Sequence, residues 1–288
     1  MNETKKITIW SLPIPESIDH FSEKEKKFLY EALIPSEQKR FDEATHPGFR
    51  AQYLASHALA RVKISPDLEM EEGKRPRMKM DPRLRGDDTS LLNVGGDPCV
   101  TPLNGQTHGF APTDGDEKHI RHSREGGDPS SIVSLSHTKK MVVCSLGDVS
   151  HGIDVEYLKE PRVDEGRLAM VGGPEEEVKD VESRKGEDRM FRFYQYAVLK
   201  ESLTKASGIP VLYTFAHAVF SLKPNGDITV RLNPEIWEKS PKTPPYKSDE
   251  FQFQILRPSQ DHLLGLALHH QGKYEVDLQV LSLMKLIM

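Results

Sequence analysis

Residues Ser150 to Leu158 read SHGIDVEYL. Apolar and acidic residues alternate through the middle of this stretch, which predicts a strand with Ile153 and Val155 on one face and Asp154 and Glu156 on the other. The two carboxylate stems would then stand roughly 7 Å apart. Like charges at that spacing repel. The acidic face is therefore either a solvated surface with spare charge or half of a cation site that needs further oxygen ligands.

Upstream, SSIVSLSHTKKMVVCSLGDV predicts a strand ending at Leu135, a polar turn, and a strand over Met141 to Leu146. Tight turns between such short strands favour an antiparallel sheet. Earlier still, two helical patterns are legible. Phe21, Phe28, Leu29, Ala32 and Leu33 recur at helical intervals until Pro35 interrupts, and Leu54, Ala55, Ala58, Leu59 and Val62 do the same in a helix with Arg50 and Arg61 at its ends. Downstream, a charged segment from Lys159 to Lys185 contains the breaker GGP, and a strong helix follows over about Asp188 to Ser207, stopped by Gly208 and Pro210. The segments FAHAVFSL, DITVRL, FQFQILR and HLLGLALHH then supply short strands. The predicted class is α+β.

Composition breaks near Met80. From Met80 to Pro129 there are 8 Gly and 5 Pro, one aromatic (Phe110) and no sustained periodicity, too little apolar surface to offset the entropy of ordering. A disordered insert is expected over 80–129, interrupting a first part of the chain (1–79 and 130–150) that is followed by a second (151–288). An ordinary interdomain linker is the plainer alternative. The insert holds 9 acidic and 5 basic residues, which leaves the other residues with 34 basic against 35 acidic, so the main fold is nearly charge-balanced. Cys99, His108, His119 and His122 fall inside it at spacings that match no familiar metal site.

The chain of 288 residues has 36% hydrophobic and 29% charged residues. It has no apolar run of membrane-spanning length and no signal-peptide pattern at its start, so a cytoplasmic protein is expected. Cys99 and Cys144 suggest neither a disulfide framework nor a cysteine metal site. A net charge of -5 with no basic run among aromatics argues against nucleic acid.

On the predicted helix, Tyr194, Ala197, Val198, Glu201 and Lys205 share a stripe, which sets Glu201 among apolar neighbours. Glu201 and Lys205 also fit a simple i, i+4 surface ion pair. With Asp154 and Glu156, however, Glu201 completes three hard oxygen donors of the kind Mg2+ takes alongside water and phosphate. Lys200, Lys205, Lys74 and Arg50 could hold the phosphates, and His137 could donate to one.

These residues together resemble the Sfp-type 4'-phosphopantetheinyl transferases. Gly152, Asp154 and Glu156 fall on the family's G-[IV]-D-x-E, and Lys200, Glu201 and Lys205 on its K-E and following lysine. Ser136 and His137 match its S-H pair, Gly73 and Lys74 its G-K-P, and Arg50 the arginine opening its early helix. Apart from the insert, the likeness covers nearly the whole chain. It departs at Ala197, where the family has an aromatic, at Val198, where it has a small polar residue, at GKRP, which has one residue too many, and at SGIPVL, which replaces G-x-G-L.

The resemblance implies two similar α/β halves related by a pseudo-twofold, with coenzyme A between them. It implies Mg2+-dependent transfer of the phosphopantetheine arm to a serine of an acyl or peptidyl carrier protein, releasing 3',5'-ADP, by a monomer. Asp154, Glu156 and Glu201 would hold the metal, and Glu201 or a metal-held water would take the serine proton. Lys200 and Lys205 would neutralise phosphate oxygens. Arg50, Gly73, Lys74, Ser136 and His137 would bind the nucleotide end. The alternative is a non-catalytic coenzyme A-binding relative. An unrelated cation-dependent phosphotransferase ranks last, because no phosphate-cradling glycine loop is present.

Overall fold

The computed structural model describes residues 4–64, 132–159, 173–238 and 246–287. The predicted insert over 80–129 and the expected nucleotide contacts Gly73 and Lys74 lie outside the described residues. In chain order the elements begin with β1 (Lys5–Pro13), α1 (Glu23–Glu31), α2 (Pro35–Glu43) and α3 (Pro47–Ile64). Then come β2 (Ile132–Thr138), β3 (Met141–Gly147), β4 (His151–Tyr157), α4 (Glu175–Glu182), α5 (Gly186–Ser207) and α6 (Val211–His217). They end with β5 (Ala218–Leu222), β6 (Ile228–Leu232), α7 (Glu235–Glu238), β7 (Phe251–Ser259), β8 (His262–His269), β9 (Tyr274–Val280) and α8 (Leu283–Ile287).

The α+β expectation holds, with the layers dictated by which strand faces are apolar. β3 is apolar at every position from Met141 to Cys144, so both its faces must be covered. It lies inside a sheet ordered β2-β3-β1-β9, while β4, β8 and β7 form a second sheet and β5 pairs with β6. Leu54, Ala55, Ala58 and Leu59 of α3 pack on Trp10, Leu12, Val142 and Cys144 on the outer face of the first sheet. Its inner face, Ile7, Ile9, Met141 and Val143, meets Ile153 and Val155 of β4 and Leu264, Leu266 and Leu268 of β8. On the far side of the second sheet, α5 packs Tyr194 and Val198 on Leu263, and Leu199 and Leu203 on Ala267. The order is helix, sheet, sheet, helix.

Several boundaries differ from the sequence reading for local reasons. Pro35 does not merely end the first helical pattern: it occupies the first turn of α2, where its missing N–H costs nothing. β2 runs on to Thr138, because Ser136 and Thr138 are buried beside β4. β2 and β3 form the expected antiparallel hairpin, but β4 leaves their sheet to pair with β8. Its apolar face and that of β3 both point into the intersheet core, which favours stacking over edge pairing. Phe215 to His217, the start of the segment FAHAVFSL read as a strand, belong to the helix α6. The second half also contributes β9 to the first sheet, parallel to β1, which covers the β1 edge.

α2 and α3 are tied by a buried carboxylate. Glu37 accepts from the Ile34 N–H at 3.0 Å, from Arg61 at 2.7 Å and from His57 Nδ1 at 3.1 Å. Burial by itself would push the Glu37 carboxyl up, but these hydrogen bonds and the His57 charge outweigh it and set the group at about 2. Relative to the ordinary 4.5 this is worth about 3 kcal/mol of folding stability. Because the folded value is depressed, the contribution is complete above pH 4.5 and disappears as the pH falls toward 2. Denaturant titrations across that window should show wild type losing about 3 kcal/mol more than Glu37→Gln. Equal acid sensitivity of the two proteins would refute the linkage.

Candidate metal centre

Two glycines bring α5 down onto β4 and β8. A Cβ on Gly152 would lie 2.2 Å from the Ser202 carbonyl oxygen, and one on Gly265 would lie 2.4 Å from that of Val198. Neither contact is tolerable, so only glycine permits this approach. Gly265 is also the register partner of Asp154. The helix therefore rests against the β4 face that carries Asp154 and Glu156.

Glu201 reaches the same place from the helix. One oxygen from each of Asp154, Glu156 and Glu201 lies within 4.8 Å of the other two, with Asp154 buried and both glutamates partly exposed. Lys205, one turn beyond Glu201, donates to Asp154 Oδ1 at 2.9 Å and to the Ile153 carbonyl at 3.0 Å. Ser136 donates to the same Oδ1 at 2.8 Å. Asp154 Oδ2 is buried and has no hydrogen-bond partner. Burial alone would push the Lys205 ammonium down, but Asp154, Glu201 and Glu156 outweigh it and raise its pKa, so the side chain stays charged.

This geometry fits a cation. Three carboxylates and one ammonium carry a formal charge of -2, which a divalent ion balances. A buried carboxylate oxygen without a donor is costly unless something positive meets it. All three ligands are hard oxygens, and the exposure of the two glutamates leaves room for water or a phosphate. The acidic cluster could hold a metal ion.

The other expected site residues fare differently. The expected placement of Lys200 at the phosphates is corrected. It precedes Glu201 by one residue, so the helical turn sends it to another side of α5, where Nζ donates to the carbonyls of Phe215 at 3.0 Å and Ala218 at 2.6 Å. Its ion partner is Glu177 of α4 at 3.0 Å, and the two side chains are 2% and 5% exposed. Burial lowers the Lys200 pKa and raises that of Glu177. Besides its expected i, i+4 relation to Glu201, Lys205 bonds Asp154 across to β4.

Ser136 and His137, adjacent in sequence, face opposite sides of β2. Ser136 is buried against Asp154, whereas His137 is exposed. Desolvation by the protein packed around the His137 ring lowers its pKa. The charges of Lys205 and His57 act in the same direction, and the ring is neutral near pH 7. Arg50 lies on α3 with its guanidinium 4.4 Å from the Phe41 ring centroid and its buried Nε without a hydrogen-bond partner.

Two participants escaped the sequence reading. Thr138 donates to Glu156 at 3.5 Å, and its place was signalled by the period-two row Ser134, Ser136, Thr138. Glu177 lies in the charged segment and gave no such signal. No family model and no curated protein matches the chain. No helix among the described residues is long and apolar enough to cross a membrane.

Proposed function

We propose that this chain transfers the 4'-phosphopantetheine arm of coenzyme A to a serine hydroxyl of an acyl or peptidyl carrier protein. The observation that carries the reading is the convergence of Asp154, Glu156 and Glu201, the last from an element 45 residues away in sequence, with an orphaned buried oxygen among them. These are the positions on which the resemblance to the Sfp-type transferases rests. The outer helices α3 and α5, each covering one sheet, suit the two-halved architecture that resemblance implies.

In this reading Asp154, Glu156 and Glu201 hold Mg2+, which when bound neutralises charge on the pyrophosphate. Lys205 has three N–H donors, two of which serve Asp154 and the Ile153 carbonyl, leaving one for a phosphate oxygen. Glu201, partly exposed, accepts the proton of the attacking serine. His137, neutral near pH 7, offers a hydrogen bond rather than a charge. Such chemistry asks the protein for positioning and charge compensation above all. A cytoplasmic monomer is part of the same proposal.

A second reading, a coenzyme A-binding relative without transfer activity, is favoured by Ala197. Beside it lies a cavity of about 40 Å³ lined by Val181, Phe193, Tyr196, Lys200 and Phe215, where the resemblance would place an aromatic ring. One experiment separates the two. The purified chain is incubated with Mg2+, coenzyme A and a panel of apo carriers, and each carrier is weighed by mass spectrometry. The proposal expects one carrier to gain the mass of the arm; calorimetric binding of coenzyme A with no gain anywhere would favour the second reading.

A further inference from the structure

β4 is an edge strand of its sheet, and its outward N–H groups need acceptors. β2 supplies them with side chains rather than backbone. Ser134 Oγ accepts from the Ile153 N–H at 3.1 Å and Ser136 Oγ from the Val155 N–H at 3.2 Å. Ser134, Ser136 and Thr138 are all buried and, at alternate positions, share one face of β2. The same row reaches the acids, since Ser136 donates to Asp154 and Thr138 to Glu156.

We propose that this hydroxyl row is the orienting shell of the cation site, with Ser136 a positioning residue that aims Asp154. The inference rests on the reading of Asp154, Glu156 and Glu201 as metal ligands. A serine hydroxyl has one proton, and that of Ser136 is committed to Asp154 Oδ1. Lys205 holds the same oxygen from α5, so the carboxylate is gripped from a strand and a helix at once. Oδ2 is left as the oxygen without a donor. Ser136 therefore acts through Asp154 on the metal rather than by donating to a nucleotide phosphate, and the first sheet tunes a site whose ligands belong to the second sheet and α5.

The test is titration of the full chain with Mn2+, followed by electron paramagnetic resonance of the free ion, with coenzyme A affinity measured separately in chelator. Wild type should bind Mn2+, and Ser136→Ala should weaken that binding by about 10–100-fold, the usual cost of losing an outer-shell partner. Coenzyme A affinity without metal should not change, and Ser136→Thr, which keeps the hydroxyl, should recover much of the loss. Wild-type Mn2+ affinity in Ser136→Ala, or a loss confined to coenzyme A, would overturn the role of Ser136 while leaving the cation site intact. Failure of wild type to bind Mn2+ would overturn both. If Ser136→Ala does not fold, Thr138→Val is measured instead: a several-fold weaker Mn2+ affinity is expected, and no change would overturn the proposal.

Discussion

Glu201→Gln is expected to reduce carrier modification by at least about 10²-fold, in the range typical for loss of a positioned proton acceptor. Glutamine keeps the length of the side chain and one acceptor oxygen, so the packing of α5 on β4 is retained. What changes is charge and basicity. The cluster falls from a formal charge of -2 to -1, and the group placed to take the serine proton no longer can. Because the wild-type carboxylates repel one another, the metal-free variant should be at least as stable as wild type. Mg2+ at 100 times its dissociation constant should stabilise wild type by about 2.7 kcal/mol and the variant by much less. Initial rates from the mass-gain assay and paired thermal melts with and without Mg2+ provide the measurements. An undiminished rate would remove Glu201 from the mechanism.

Lys200→Met should destabilise the fold by about 3–5 kcal/mol, because it strands the buried Glu177 carboxylate without its cation. Lys200 links α5 to the carbonyls of Phe215 and Ala218 as well as to α4, so its removal also leaves two acceptors without their donor. Glu177 has a second duty, accepting from the Phe220 N–H at 2.7 Å. The compensating change is therefore Glu177→Gln, which removes the charge and keeps an acceptor. Lys200→Met/Glu177→Gln should recover a substantial part of the loss in urea titrations, and its affinity for coenzyme A should match wild type. A stable single variant with weakened coenzyme A binding would instead return Lys200 to the phosphates.

The contrast between Glu201 and Lys200 indicates how much of this molecule its sequence makes legible. Alternation in GIDVE specifies which face of β4 carries the acids, and the stripe on α5 specifies that Glu201 turns inward with Val198. Those are local periodicities, and they carry into the fold. The destination of Lys200 depends on α4 and on the carbonyls of Phe215 in α6 and Ala218 at the start of β5, distant elements that no periodicity announces. The same limit explains β4. Its alternation is plain, yet its partner β8 lies more than 100 residues away, and the nearest hairpin in sequence is the wrong neighbour. Short-range turn chemistry accounts for β2 with β3 and for Gly208, which closes α5 at φ 75. It says nothing about β9 joining β1. Gly152 could be read only as a motif position in the sequence, and its physical reason emerges from the 2.2 Å approach of the α5 backbone.

The most direct test of the metal centre is anomalous X-ray scattering from crystals of the full chain grown or soaked with Mn2+. A single strong peak is predicted within bonding distance of carboxylate oxygens from Asp154, Glu156 and Glu201, with Lys205 still on Asp154 Oδ1. A metal-saturated crystal with no peak among these three side chains, or with its ion bound elsewhere, would contradict the account.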